Sequence, residues 1–87
     1  MLTNAEVKRL IDKGEFYDST FDCEDSRTQD LVYGIWFHLN EAEECEFRLS
    51  PHLKDQDVLD LIAEIHHHYK NVEKLEAELE QYLEALC

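Results

Sequence analysis

The stretch VLDLIAEIHHHYKNVEKLEAELEQYL, Val58–Leu83, decides the fold. Val58, Leu61, Ile65, His68, Val72, Leu75, Leu79 and Tyr82 recur at alternating spacings of three and four, and Leu86 continues the series. At about 100° per residue such a series stays on one side of a helix, as the a and d positions of a heptad do. Ile62, Tyr69 and Leu83 take e positions and widen the stripe. The spacing predicts one helix over about residues 55–86, roughly 45–50 Å long at 1.5 Å per residue. Such a stripe needs a partner helix.

The partner lies on the other side of SPHLK, residues 50–54. The residue before a proline disfavours the helical region, so the chain breaks there. A loop this short suits two antiparallel helices. Upstream, SRTQ (26–29) reads as a capping box opening a helix over about 27–49. Within it Leu31, Val32, Tyr33, Ile35, Trp36, Phe37 and Leu39 point almost all the way round. A helix apolar on every side is expected to be covered on several.

Nearer the N-terminus, TNAE (3–6) is another capping box, and Gly14 suits a left-handed terminator, giving a helix over about 4–13. Residues 15–25, EFYDSTFDCED, have no helical period, and Phe16, Tyr17 and Phe21 are expected to pin this irregular acidic segment onto the core. The reading is one all-α domain: a short N-terminal helix plus a long antiparallel helical hairpin with coiled-coil-like packing. The last helix is longer than its partner. Either the first helix or a second copy of the chain would cover its end, and Tyr33 and Phe37, facing away from Leu31 and Ile35, favour a homodimer.

Composition narrows the function. Eighty-seven residues with 8 Lys+Arg against 21 Asp+Glu carry a net charge of −13. That charge opposes direct binding to nucleic acid or an anionic membrane and suits a basic protein surface. An apolar share of 44% is too high for a disordered acidic tail. Cys23, Cys45 and Cys87 are widely spaced, without a C-x-x-C pair, which argues against a disulfide scaffold or zinc ribbon and for a reducing cytoplasm. The N-terminus lacks the apolar run of a signal peptide, and no run reaches the roughly 20 residues of a membrane span.

The histidines need directions before roles. His68 falls at d, in the seam, whereas His66 and His67 fall at b and c, on the outer face. Consecutive side chains diverge by about 100°, so His66, His67 and His68 are not expected to hold one metal together. A metal-handling bundle using His38, Glu64, His67 and His68 is the alternative, since Glu64-x-x-His67 has the spacing of di-iron carboxylate bundles. Against it, Glu64 at g and His67 at c face away from the stripe. His38 lies on the line Leu31, Ile35, Ala42, Cys45 and Leu49, which should place it near Ile65 and His68.

No nucleophile elbow, phosphate loop or metalloprotease motif occurs, and acidic neighbours outnumber the one base near Cys45, Arg48. The expectation is a protein without catalysis or cofactor. The acid excess lies after residue 14. Asp18, Asp22, Glu24 and Asp25 line the irregular segment, and Glu41, Glu43, Glu44 and Glu46 crowd the end of the second helix. These eight are the candidate partner-binding residues, because spaced carboxylates can imitate phosphates in a nucleic-acid-binding groove. The function expected is a small acidic inhibitor of a basic, nucleic-acid-binding protein, acting in the cytoplasm, that of a host if the protein is phage-encoded. Phage inhibitors of restriction or CRISPR systems share this size and charge, an analogy of composition. A structural coiled-coil adaptor is the further alternative.

Overall fold

A computed structural model describes residues 1–14 and 22–86. Three helices follow one another: α1 (Asn4–Lys13), α2 (Ser26–Arg48) and α3 (Asp55–Ala85), with no strand among the described residues. The fold is all-α, and α2 and α3 pack along their lengths in an envelope of 50 × 21 × 20 Å. Their direction follows from side-chain pairs. Arg27 meets Glu78, His38 meets His68, and Cys45 meets Glu64, so residue numbers rise on one helix as they fall on the other. The helices are antiparallel. The turn between them begins at Ser50, whose carbonyl accepts from the Leu53 N–H (3.1 Å), with Pro51 in the position its fixed φ favours.

The helix ends show how far local chemistry dictates the chain. Thr3 caps α1 by accepting from the Glu6 N–H (3.3 Å), and the Glu6 carboxylate accepts from the Thr3 hydroxyl (3.2 Å). Gly14 closes α1 with φ 74°, its N–H directed to the Ile11 and Leu10 carbonyls, a conformation that favours glycine. At α2 the cap stands one residue earlier than the SRTQ reading. Asp25, not Ser26, accepts from the N–H groups of Arg27 (2.9 Å) and Thr28 (3.1 Å). A carboxylate serves the positive end of a helix better than a hydroxyl. Gln29 instead accepts from the Cys23 N–H (2.6 Å).

Val7 of α1, Leu31, Val32 and Ile35 of α2, Val72, Leu79 and Leu83 of α3, and Cys23 form one buried cluster. The first helix therefore covers the end of α3 that overhangs the hairpin. Leu2 pairs with residues 22–24 in a short parallel bridge, its N–H to the Asp22 carbonyl (2.7 Å) and its carbonyl from the Glu24 N–H (2.9 Å). The pinning expected of Phe16, Tyr17 and Phe21 lies outside the described residues, as do Asp18 and Cys87.

One expectation about burial changes, and another holds. Leu86, in register on the stripe, is 54% exposed, while Leu83 at its e position is buried. At that end α1 takes the place of α2 as the covering element, and it lies toward Leu83. On α2, Tyr33 and Phe37 stand 56% and 42% exposed. α1 and α3 cover only the Leu31–Ile35 side, leaving an aromatic outer face on which the Tyr33 and Trp36 rings lie 5.9 Å apart.

Candidate functional site

The acidic residues divide into two groups at opposite ends of α2. Asp22 and Glu24 are exposed before the helix, and Glu43, Glu44 and Glu46 are exposed in its last turns, with Glu41 half-buried. Some 20 residues of helix separate them by roughly 30 Å. Around the axis, 100° steps spread Glu41, Glu43, Glu44 and Glu46 over about 220°, the whole side turned away from the buried Ala42 and Cys45, rather than along one narrow face. The antiparallel hairpin brings further acids to both ends: Glu73, Glu80 and Glu84 lie exposed beyond the middle of α3, and Asp55, Asp57 and Asp60 in its first turns. Carboxylates thus border the rod for most of its 50 Å length.

Two candidates have internal tasks. Asp25 accepts from Tyr82 Oη (2.7 Å) and Asn4 Nδ2 (3.1 Å) as well as capping α2, and the buried Thr28 hydroxyl donates to Asn4 Oδ1 (2.8 Å). This network ties the starts of α1 and α2 to the last turns of α3. The hydrogen bonds from Tyr82, Asn4 and the α2 backbone hold the Asp25 carboxyl below its ordinary range, and the Tyr82 phenol is pushed up in return. Glu46 accepts from Tyr69 Oη (2.8 Å), which raises the Tyr69 phenol.

Midway along the hairpin is a layer of imidazoles. His38 Nδ1 and His68 Nδ1 lie 2.9 Å apart, with one nitrogen donating a proton to the other. His68 is half-buried in the seam, and His66 and His67 are exposed. Yet the His67 ring is not remote from the pair: its centroid lies 5.4 Å from that of His68 and 6.4 Å from that of His38. Burial, then the neighbouring His68 and His67, push the His38 imidazole below its ordinary value, against the Glu41 carboxylate, which favours its charged form. One turn further along, Glu64 Oε2 accepts from the buried Cys45 thiol (3.3 Å). Burial first, then this hydrogen bond, push that thiol up, so it is held as a neutral donor.

Glu64 and His67 are therefore closer to α2 than a heptad projection places them. For Glu64 the signal is in the register, since a g position flanks the seam and a long side chain reaches across it, whereas His67 at c carries no such signal. Among the described residues no three histidine, cysteine or acidic side chains already stand as a metal-binding set, and no helix is long and apolar enough to cross a membrane. No protein-family model, curated protein or solved structure matches the chain.

Proposed function

We propose that the protein is a non-enzymatic acidic binding protein that blocks a basic, nucleic-acid-binding partner. The observation that carries this reading is the exposure of carboxylates along both ends of a 50 Å rod with a net charge of −13. Solubility asks for a net charge of only about 2–8 in a small domain. A narrow rod bordered by negative charge fits a groove that otherwise holds a phosphate backbone, and it draws a basic partner in from a distance. Glu43, Glu44 and Glu46, with Asp22 and Glu24 at the far end, carry the contact. Asp25 contributes through the cap that orders this region.

The adaptor reading draws on a different observation, the exposed Tyr33 and Phe37 on the outer face of α2. One experiment separates the two. Protein on beads is exposed to a bacterial lysate, and retained proteins are eluted with duplex DNA or with salt. The acidic reading expects a nucleic-acid-binding protein that DNA displaces and that the Glu41→Lys, Glu43→Lys, Glu44→Lys, Glu46→Lys variant does not retain. Retention indifferent to the reversals but lost in Tyr33→Ala, Phe37→Ala favours the adaptor.

A further inference from the structure

We propose, resting on the acidic-binding reading, that the open half of the groove between α2 and α3, floored by Leu39, Ile62 and Tyr69, seats a basic amphipathic helix of the partner. One row of α3 carries this. Ile62, Tyr69 and Leu83 share the e positions, yet Leu83 is 2% exposed while Ile62 and Tyr69 are 39% and 41% exposed. The difference is α1, which lies over Leu83 and leaves the other two open. On α2 the same side is marked by Thr28 and Val32, with Leu39 and Glu46 following Val32 at intervals of seven. The Thr28 hydroxyl donates to Asn4 of α1, and Glu46 accepts from Tyr69 Oη. α1 and Tyr69 therefore stand on one side of the hairpin.

The open stretch from Ile62 to Glu76 is roughly 20 Å long, room for about four turns of helix. Its charge chooses the occupant. Glu43 and Glu46 border it on α2 and Glu73 on α3, all exposed, while Lys70 stands one row further out. The same groove of a second copy would set carboxylates against carboxylates. α1 shows what fits. Its Val7 and Ile11 turn toward the core, while Lys8 shares a cleft with Glu80 and Glu84 of α3.

The partner's helix repeats that pattern further along the hairpin. Apolar side chains at i, i+3, i+4 and i+7 enter between Leu39, Ile62 and Tyr69, as in other helix-in-groove complexes. Lysines or arginines on its flanks meet Glu43, Glu46 and Glu73. The apolar floor sets where the helix lies, and the carboxylates select its charge.

A fluorescein-labelled peptide of leucine and lysine, spaced so that the leucines share one helical face, is titrated with the protein near physiological salt and followed by anisotropy. The same residues in scrambled order, and a leucine–glutamate peptide of the first spacing, are the controls. One peptide per chain is expected, with an affinity at least about tenfold above either control. Ile62→Ser, Tyr69→Ser should lose about tenfold or more, and so should Glu43→Lys, Glu46→Lys, Glu73→Lys, whereas Tyr33→Ser, Phe37→Ser should bind as wild type. Circular dichroism reports whether each variant folds, and if Tyr69→Ser does not, the exposed Leu59→Ser, Ile62→Ser pair takes its place. Equal affinity for the scrambled peptide, lost only in the charge-reversed variant, would overturn the groove and leave the acidic reading standing. Equal affinity for the leucine–glutamate peptide would overturn both. Loss in Tyr33→Ser, Phe37→Ser instead of Ile62→Ser, Tyr69→Ser, or no binding of the leucine–lysine peptide, would overturn the proposal.

Discussion

Leu79 and Leu86 occupy equivalent positions on the α3 stripe, and the fold makes them unequal. Leu79 is 1% exposed, in a cluster with residues from all three helices, whereas Leu86 is 54% exposed. Leu79→Ala removes three carbons, which at about 0.8 kcal/mol each gives roughly 2.4 kcal/mol of lost burial. The cavity left between α1, α2 and α3 brings the expected loss to about 3–5 kcal/mol. A domain of this size has a total stability of roughly 4–13 kcal/mol, so the variant should be close to the limit of folding. Leu86→Ala should fall within about 0.5 kcal/mol of wild type. Urea unfolding followed by circular dichroism measures both, with unchanged m-values as the sign that the same surface is exposed. Equal losses would refute the covering of α3 by α1, and would place Leu86 in an interface between chains. A Leu79→Ala loss below about 1 kcal/mol would refute the core itself.

Gly34 lies within α2, and a Cβ there would meet Leu75 Cδ1 at 3.0 Å. Leu75 is only half-buried and can yield, so Gly34→Ala should gain most of the roughly 1 kcal/mol by which alanine exceeds glycine in a helix; a destabilised variant in the same urea assay would show Leu75 to be held fast. The Asp25 carboxyl titrates below its ordinary value of 3.8, so the unfolded chain binds its proton more tightly than the folded one. Stability from this group is present above pH 3.8 and declines as pH falls through the folded value; acid titration of Asp25→Asn should lack that part of the decline, and superimposable curves would contradict it. Sedimentation equilibrium tests whether the exposed Tyr33 and Phe37 face pairs two chains: a dimer that dissociates in Tyr33→Ala, Phe37→Ala is expected, and a 10.3 kDa monomer throughout removes it.

Much of this fold is legible in the sequence because few residues carry the decisions. Thr3 and Gly14 bound α1, Pro51 breaks the hairpin, and the spacing from Val58 to Tyr82 orients α3. The same register brings His38 to His68, since both lie on the seam and the turn sets their level. What escapes the pattern depends on tertiary position. Ser26 and Asp25 are both good caps by type, and the approach of Tyr82 and Asn4 adds to the helix-end preference for the carboxylate. Leu83 and Leu86 differ by which element covers them, which periodicity along α3 does not contain. His67 projects outward by its backbone direction, but a long side chain beside a crossing helix brings its ring within 6.4 Å of His38. The pairing of Leu2 with residues 22–24 joins backbone groups and leaves no trace in side-chain type.

The salt dependence of partner binding tests the acidic-inhibitor reading most directly. The affinity of wild-type protein for the DNA-displaceable partner, purified and titrated over a range of salt, should fall steeply as salt rises, because surface charge pairs are screened within about 8–10 Å near physiological ionic strength. The Glu41→Lys, Glu43→Lys, Glu44→Lys, Glu46→Lys variant, helical by circular dichroism, should show no binding at any salt. An affinity that hardly changes with salt and is equal in the folded reversal variant would contradict the account.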